Sequence, residues 1–533
     1  MTVQNGAMDA WRALLGREAV LTGDQIPARL RRDTSGASRA LQAVLRIGTA
    51  AQLRHVMQIA QCHGVPVHPV STASNWGYGS ALPVRDGVTL IDLSGLTEIS
   101  DFDPQLGVVT VEPGVTQGML AAFLAKGGHP FMVPVTGAGP HASLVANALE
   151  RGFGIAPHVD HCGAITDLEA VLADGSLYRS ALHEAGSAEL ARLSRWGIGP
   201  HCHALFSQSG FGIVTRASLL LARTPQATQA CFFALPGDAL LEPAVERIRD
   251  VMQALPGTVS GVNLVNRQRV LAMTVPFADV GPLDAEGLIP GARLDALARQ
   301  HRVAPWTGFA ALHATHGVVR AARHEVNRAL KGVAVRVQFL SPSQAAWLAA
   351  VGRYLPGAVG QGIRRTASTA AAALQMVQGR PSESTLPLAY WRSRTPAPAT
   401  GLDPSRDRCG LLWYAPLVPM RGGDVRRFVD FAERTVRRHG IEPLLTLTAL
   451  DGRLFTGTLA LLFDAESPAR CDRARQCLAE LVEQGRQHGF YPYRLHVDEM
   501  AAHRARHPLS GALADRLRRA LDPGDLLAPG RYA

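Results

Sequence analysis

The stretch PVSTASNWGYGS, residues 69–80, lies between two short apolar segments, Val65–His68 and Val88–Ile91, which are both typical of strands. Its small and polar residues allow several backbone N–H groups to point inward together, and such a loop can bind an anion, for example a pyrophosphate. The spacing G-x-G-x-x-G is absent and no helix is predicted directly after the loop, which excludes a Rossmann fingerprint. A cluster of Gly, Ser and Asn between strands is most often a simple turn, so the neighbouring sequence must decide. We call residues 69–80 the cradle loop.

Four further blocks follow the cradle loop: VTVEPGVTQGMLAAFLAKGG (109–128), VPVTGAGPHASLVANALERGFG (133–154), LFSQSGFGIVTRASLLLA (205–222) and LDPGDLLAPGR (521–531). Together with the cradle loop they resemble, in the same order, the FAD domain and the C-terminus of the vanillyl alcohol oxidase/4-cresol dehydrogenase family. The resemblance covers the chain from about residue 40 onward. It implies an α+β fold with two domains, an FAD-binding PCMH-type domain and a ferredoxin-like cap domain that binds substrate over the flavin.

The length of the chain and a change in its sequence pattern predict where these domains divide. At 533 residues the chain is too long for one core of ordinary size. The pattern changes near Thr224–Pro225. We therefore predict that the FAD-binding domain spans residues 1–225 and is completed by residues 500–533, while residues 226–499 form the cap domain.

Local patterns predict several elements of the first domain. Residues 42–48 are typical of a strand, and residues 168–180 of a hairpin that turns at Asp174–Gly175. Thr49 is expected to cap a helix whose apolar side is Leu53, Val56, Met57 and Ala60. Thr116 is expected to cap a second helix, which ends at Gly127–Gly128 and turns inward Met119, Leu120, Phe123 and Leu124.

The cap domain is predicted in less detail. From residue 410 the sequence indicates strand, helix, strand, strand, helix, strand, which is a ferredoxin-like half-module. Its last strand is FYPYRLHVD, residues 490–498. Residues 257–345 are interpreted only as mixed helices and loops.

Charge and cysteine content limit the partners and the compartment. The 54 Lys and Arg against 44 Asp and Glu give a net charge of +10, but no basic block is interleaved with aromatic residues, so we expect no nucleic-acid partner. Seven cysteines at irregular spacing do not indicate a disulfide framework. The first residues lack the pattern of a signal peptide, and no apolar run approaches membrane-spanning length. We expect a cytoplasmic protein that has no membrane partner.

Three residues are candidates for holding a substrate. On sequence alone, Tyr78 is best interpreted as a turn residue, Tyr493 as buried and Arg494 as solvated. The resemblance reverses this interpretation, because phenol-oxidising members use a tyrosine in the cradle loop and a Tyr-Arg pair late in the cap to bind the phenolic oxygen. A phenol has a pKa of roughly 10 in water, and an arginine with two hydroxyl donors would stabilise its anion. We therefore assign Tyr78, Tyr493 and Arg494 as the catalytic residues.

The resemblance also implies which residues contact FAD. Gly79 and Gly139 are expected to let the backbone approach the cofactor closely. The backbone around Ile213 and Val214 is expected to face the adenine half. The full predicted set is Ser71, Thr72, Ala73, Ser74, Asn75, Trp76, Gly77, Gly79, Pro134, Gly137, Gly139, Ser143, Asn147, Gly152, Gly154, His161, Ile213, Val214 and Arg531.

Two histidine clusters look like metal ligands but are not assigned as such. His158, His161 and Cys162 follow the second block, where the family has a similar ending without a metal. His201, Cys202 and His203 are too close in sequence to close one tetrahedral site. We expect no metal.

Departures from the family pattern bear on the flavin linkage and on proton transfer. Val135 stands where the oxidases carry an aspartate, and Leu411 where many members attach FAD through a histidine. Leu447 and Thr456 stand near positions where several relatives carry a glutamate and a histidine. Tyr390 or Tyr414 could link the flavin instead, but a non-covalent FAD is the prediction.

The sequence thus predicts an FAD-dependent oxidoreductase that oxidises a para-substituted phenol or related aromatic by hydride transfer from the benzylic carbon to flavin N5. Two alternatives stay open: a flavin oxidase of the same fold that tailors a non-phenolic metabolite, and a catalytically inactive flavin-binding subunit. The resemblance also allows a homodimer and an electron-acceptor protein such as a cytochrome. It names neither the substrate nor the acceptor.

Overall fold

The computed structural model describes residues 3–154, 158–354, 370–506 and 508–532. Residues 1–2, 155–157, 355–369, 507 and 533 of the predicted domains lie outside the described residues. Within the described part, the larger sheets have four, five and eight strands. In the same residues, no helix has the length and apolar character needed to cross a membrane.

The four-stranded sheet carries the cradle loop. Strands β2, β4 and β3 run parallel, and β1 pairs with β2 in antiparallel fashion, so the cradle loop follows one of two adjacent parallel strands. The elements are β1 (Val20–Leu21), β2 (Leu41–Arg46), β3 (Val67–Val70), β4 (Val88–Asp92) and the helices α1 (Val3–Leu15), α2 (Ala28–Arg31) and α3 (Ala50–Cys62). Thr49 caps α3 as predicted, and the four predicted apolar residues of α3 are buried.

The five-stranded sheet is antiparallel, in the order β5-β6-β10-β8-β9. Its strands are β5 (Ile99–Asp103), β6 (Val108–Val111), β8 (Ile165–Val171), β9 (Leu177–Tyr178) and β10 (Ile213–Leu220), while β7 (Phe131–Met132) pairs with β11 (Ala222–Arg223). The predicted hairpin of residues 168–180 is formed by β8 and β9. The helices of this region are α4 (Gln117–Lys126), α5 (Leu144–Leu149), α6 (Ala181–Glu184) and α7 (Ala188–Leu193).

The predicted inward face of α4 is partly wrong. Thr116 caps the helix, and Leu120 and Leu124 are buried, but Met119 is 37% exposed. Gln117 takes the third inward position, and its side-chain amide bonds to the backbone N–H and the hydroxyl of Thr136. A polar residue that finds buried partners thus turns the helix so that the methionine faces solvent.

The strands of the eight-stranded sheet lie between residues 227 and 463, in the order β15-β12-β14-β13-β18-β19-β16, with β17 pairing β19. Its strands are β12 (Ala227–Leu235), β13 (Val259–Asn266), β14 (Trp306–Ala314), β15 (Val335–Leu340), β16 (Gly410–Tyr414), β17 (Leu417–Pro419), β18 (Leu444–Ala449) and β19 (Leu454–Phe463). Its helices are α8 (Leu241–Ala254), α9 (Arg267–Thr274), α10 (Gly291–His301), α11 (His316–Leu330), α12 (Pro342–Tyr354), α13 (Gly422–Arg438) and α14 (Pro468–Gln487), followed by α15 (Met500–Ala505) and α16 (Pro508–Leu521).

The interpretation of residues 257–345 as mixed helices and loops is wrong, because three strands of this sheet lie there. β14 is rich in Gly and Ala, which have low strand propensity, yet it pairs with β12 over nine consecutive residues. Tertiary pairing therefore decides its conformation. As a result, β12, α8, β13, β14, α11 and β15 follow the ferredoxin-like order, with α9 and α10 inserted before β14.

The predicted strand at residues 490–498 is also wrong. The segment makes one isolated bridge, between Pro416 and Pro492, and continues as an irregular loop into a short turn of helix at Val497–Glu499. Pro492 has no N–H with which to continue a ladder. The backbone N–H of Tyr493 instead donates to the carbonyl of Ala415, at 3.2 Å.

The two faces of the eight-stranded sheet have different surroundings. On one face Leu412, Leu447 and Leu461 pack in the core formed with α8, α11, α13 and α14. On the opposite face Leu411 and Trp413 pack toward residues 386–391. Because side chains alternate along a strand, this second face carries every other residue of β16, β18 and β19 and can form the wall of a site.

Candidate active site

Two adjoining cavities lie along the cradle loop. The first, of about 140 Å³, extends from the cradle loop to the start of α5, and we call it the cradle cavity. The second, of about 340 Å³, lies between the cradle loop and the second face of the eight-stranded sheet, and we call it the cap cavity. Both are lined by Ser74, Asn75, Asn147 and Arg494, so the two cavities adjoin at these residues.

Side-chain hydrogen bonds hold the cradle loop against its neighbours. Thr34 accepts a bond from the backbone N–H of Gly77 and donates to the carbonyl of Leu411, both at 2.8 Å. Ser71 and Ser143 both donate to the carbonyl of Pro113. The loop is therefore fixed to β16 at one end and to the start of α5 at the other.

The glycines of the loop are explained by contacts within the protein. Gly77 and Gly79 have φ values of 79° and 113°, which side chains rarely adopt. A Cβ at Gly77 would lie 2.2 Å from Trp413 Cδ1, and a Cβ at Gly79 would lie 2.6 Å from Val497 Cγ1. A Cβ at Gly139 would meet Leu386. A side chain at any of these glycines would therefore meet other protein side chains, and the expectation that Gly79 and Gly139 let the backbone approach the cofactor stays a prediction.

A buried histidine beside the cradle cavity has an unused donor. His161 Nδ1 lies 2.8 Å from the side-chain nitrogen of Asn147, so it accepts that bond and the ring proton is on Nε2. Nε2 is buried and has no partner in the described residues. Burial lowers the pKa of His161 to about 4, which keeps the ring neutral. His161 itself lines neither cavity, but it bonds to Asn147, which lines both, so its neutral donor lies close to them.

The cradle cavity is positively charged. Arg531 and Arg494 both lie beside the carboxylate of Glu150, and Arg494 Nε is 3.3 Å from Glu150 Oε2. Burial lowers the pKa of Arg531, and burial together with Arg531 lowers the pKa of His68 to about 3. Two arginines against one carboxylate, with a neutral histidine, leave one positive charge. This charge and the orphaned donor of His161 fit the pyrophosphate and flavin of FAD.

The structure brings Tyr78, Tyr493 and Arg494 together. The guanidinium carbon of Arg494 lies 4.7 Å from the centre of the Tyr78 ring. The side chains of Tyr78 and Tyr493 interact with each other, and Tyr493 also interacts with Arg494. Burial raises the pKa of both tyrosines, so both are neutral donors. Arg494 Nη2 donates to Asn75 Oδ1 at 2.6 Å, which fixes the guanidinium against the cradle loop.

The cap cavity is also lined by an arginine that the sequence did not reveal. Arg269, in the first turn of α9, lines the cavity together with Asn263, Thr446, Thr448 and Thr458. No spacing or composition signal marks Arg269, because its significance depends on the surrounding side chains. Among the described lining residues there is no Asp, Glu, His, Lys or Cys.

The departures from the family pattern can now be placed. Val135 and Leu411 both line the cap cavity. Leu447 does not, since it lies in the core on the other face of the sheet. Thr456, the other aligned residue, is buried and pairs with Thr448. It does not line the cavity, whereas Thr446, Thr448 and Thr458 do. Neither of the two aligned positions therefore lines the cap cavity.

The two alternative linking tyrosines lie outside both cavities. The hydroxyl of Tyr390 donates to Asp407 Oδ2 at 2.6 Å. The hydroxyl of Tyr414 donates to the carbonyl of Phe490 at 3.3 Å, on the helix-covered face of the sheet. Both hydroxyls have partners within the protein, so neither is presented to a flavin in the cap cavity.

Not every predicted FAD residue lines a cavity. Ile213 and Val214 are buried in the cores around β10, and their side chains line neither cavity. Pro134 also lines neither, whereas Trp76, Gly137, Gly152 and Gly154 line the cap cavity. Within the described residues no group of three or more His, Cys, Asp or Glu could hold a metal.

The chain is similar to known flavoproteins. A family model described as an FAD binding domain matches residues 41–181. The 4-cresol dehydrogenase [hydroxylating] flavoprotein subunit of Pseudomonas putida is 26% identical, over 99% of this chain and 95% of that protein. The 1'-carboxy-chondrochloren decarboxylase of Chondromyces crocatus is 33% identical, over 99% of this chain and 96% of that protein. The chain belongs to the vanillyl alcohol oxidase/4-cresol dehydrogenase family.

The fold of this family member agrees with its sequence relationship. A crystal structure of p-cresol methylhydroxylase with substrate bound superposes with a TM-score of 0.87 at 23% identity, over 99% of this chain and 96% of that chain. The predicted α+β, PCMH-type fold and the predicted FAD cofactor are confirmed. The protein is an FAD-dependent oxidoreductase of this family. The division near residue 225, the roles of individual site residues and the absence of a covalent link stay predictions.

Proposed function

We propose that the protein oxidises a para-substituted phenol by removing hydride from its benzylic carbon. The observation that carries this proposal is the convergence of Tyr78, Tyr493 and Arg494 at the junction of the two cavities. Two neutral hydroxyl donors and a guanidinium are suited to a phenolate oxygen.

The side chains would act by stabilising the ionised substrate. Because the pKa values of Tyr78 and Tyr493 are raised, these residues stay protonated and donate to the phenolic oxygen rather than compete for its proton. Arg494 supplies the positive charge that lowers the pKa of the bound phenol. The phenolate then pushes electrons into the ring, and a hydride can leave the benzylic carbon to give a quinone methide. Bound FAD supplies the hydride acceptor at N5.

The test is anaerobic reduction of the protein-bound flavin by matched aromatic compounds. We expect 4-ethylphenol to bleach the flavin and 4-ethylanisole, whose oxygen is methylated, to leave it oxidised. Reduction by both compounds at the same rate would show that the phenolic oxygen is not used, in favour of a non-phenolic substrate. No turnover with any compound and an artificial electron acceptor would favour the inactive flavin-binding subunit.

A second candidate function, oxidative decarboxylation of a phenol, is favoured by the lining of the cap cavity. A quinone methide that takes up water needs a base, but the described lining offers no Asp, Glu, His, Lys or Cys. A quinone methide that loses an adjacent carboxyl group needs no base. The relative with 33% identity is named a decarboxylase.

A further inference from the structure

Arg269 is held in place at the wall of the cap cavity. Asn266 caps α9: its side-chain oxygen accepts bonds from the backbone N–H groups of Arg269 and Leu445, both at 3.1 Å. The guanidinium carbon lies 5.5 Å from the centre of the Trp413 ring, and Nη1 makes one long contact, 3.4 Å, to the carbonyl of Leu444. Most of the donors of this guanidinium are therefore left for a ligand.

No counter-charge accompanies Arg269. Among the described residues, no carboxylate lies within 4 Å of its guanidinium, and the sequence of the remaining residues contains no Asp or Glu. The neighbouring arginines differ, since Arg267 pairs with Asp295 at 2.6 Å and Arg494 with Glu150. Burial lowers the pKa of Arg269 to about 10, so it is still charged at neutral pH. Arg269 is only part-buried, yet an unpaired charge withdrawn from water is costly, and an anionic ligand would offset that cost.

A second polar group at the same wall has no partner. Thr446 is 8% exposed, lines the cap cavity and leaves its buried hydroxyl without a hydrogen bond in the described residues. Thr448, by contrast, is satisfied by Asn263 Oδ1 at 2.6 Å. A charged guanidinium and a free hydroxyl on one wall form a donor set for a carboxylate.

We propose that Arg269 and Thr446 form a carboxylate subsite, and that the substrate is a phenol whose para side chain carries a carboxyl group on the carbon next to the benzylic carbon. This inference rests on the proposed function and names its substrate class. The phenol binds at one end of the cap cavity, among Tyr78, Tyr493 and Arg494, and the carboxylate binds at the wall formed by the eight-stranded sheet.

The reaction balances without any further reactant. The substrate loses its phenolic proton to solvent and a benzylic hydride to FAD, which is reduced by two electrons. In the resulting quinone methide, the bond to the carboxyl carbon breaks and its electron pair forms the side-chain double bond and restores the aromatic ring. The phenolate regains a proton, so the products are CO2, a 4-vinylphenol and the reduced cofactor.

Arg269 acts by binding and orienting the carboxylate. An ion pair between Arg269 and the carboxylate stabilises the bound substrate but not CO2. We therefore expect Arg269 to affect the affinity for the substrate more than the rate of flavin reduction at saturating substrate. Loss of a charge-assisted pair of hydrogen bonds weakens binding by about 10- to 100-fold.

The test compares 3-(4-hydroxyphenyl)propanoate with its neutral amide in the FAD-loaded protein. We expect the wild-type protein to bind the propanoate more tightly and to release one CO2 from a labelled carboxyl group per flavin reduced. Arg269→Met should raise the Kd of the propanoate about 10- to 100-fold and leave the Kd of the amide within about threefold, with the limiting rate of flavin reduction nearly unchanged. Arg269→Lys should recover part of the preference. Arg267→Met, on the same helix but outside the cavity, should keep it.

The outcomes separate this inference from the proposed function. Equal Kd values for propanoate and amide in the wild-type protein, a preference that survives Arg269→Met, or flavin reduction without CO2 would each overturn the inference and leave phenol oxidation intact. Failure of every phenol to reduce the flavin would refute the proposed function, and the Kd comparison would still decide the subsite.

Discussion

Replacement of Arg494 by Met removes the positive charge from the phenol site and keeps most of the apolar stem. In the structure the Arg494 side chain is 11% exposed, donates to Asn75 at 2.6 Å and lies 3.3 Å from Glu150. Glu150 keeps Arg531 as a partner after the substitution, so we expect the fold to be retained. Loss of charge-assisted bonds to a desolvated phenolate costs about 2–4 kcal/mol of transition-state stabilisation. Flavin reduction by 4-ethylphenol should therefore slow about 30- to 1,000-fold.

The assay is anaerobic rapid mixing at several phenol concentrations, followed by the loss of the visible flavin absorbance. Tyr493→Phe should have a smaller effect, because the hydroxyl of Tyr78 still donates. Arg39→Met is a matched control, since Arg39 is a partly buried arginine that pairs with Asp498 outside both cavities. If Arg494→Met retains FAD but changes neither the phenol Kd nor the reduction rate, the phenol site is misplaced.

Three further predictions follow from the structure. FAD should enter the supernatant after acid precipitation, because Leu411 offers no nucleophile to the flavin; colour in the washed pellet would contradict this. Gly77→Ala should lower the melting temperature and the FAD content, because the new Cβ would lie 2.2 Å from Trp413; full flavin occupancy would contradict it. His68 and His161 have pKa values of about 3 and 4 against 6.5, so the unfolded chain binds protons first as the pH falls. With FAD in excess, the free energy of unfolding should fall from pH 6.5 toward 4 by roughly 1.4 kcal/mol per pH unit for each histidine. His161→Asn should flatten that dependence, and an unchanged slope would count against it.

The FAD-binding part of the chain could be predicted well from its sequence. The capping threonines Thr49 and Thr116, the hairpin turn at Asp174–Gly175 and the cradle loop are local signals, so each element could be assigned without knowing the fold. Met119 was misjudged because the partners of Gln117 come from another segment. The cradle glycines were found, but the side chains that approach them, Trp413 and Val497, are distant in sequence and could not be predicted.

The cap was predicted less well because its order depends on non-local pairing. β14 is a strand through its nine pairs with β12, and its Gly and Ala residues give no local strand signal. Residues 490–498 have strand-like alternation, but Pro492 prevents a ladder. Arg269 could not be predicted at all. An arginine becomes a candidate ligand-binding residue only when no carboxylate lies next to it, and the sequence does not show which residues lie next to it.

Deuterium at the benzylic carbon of 4-ethylphenol tests most directly whether this flavoprotein removes a benzylic hydride from a phenol. The measurement is the anaerobic rate of flavin reduction, compared with 4-ethylphenol that carries deuterium only on the ring. We predict that the benzylic label slows flavin reduction and that the ring label leaves it unchanged, because the benzylic C–H bond breaks as the flavin is reduced. Equal rates with the two labelled compounds, or no reduction by either, would contradict the proposed reaction.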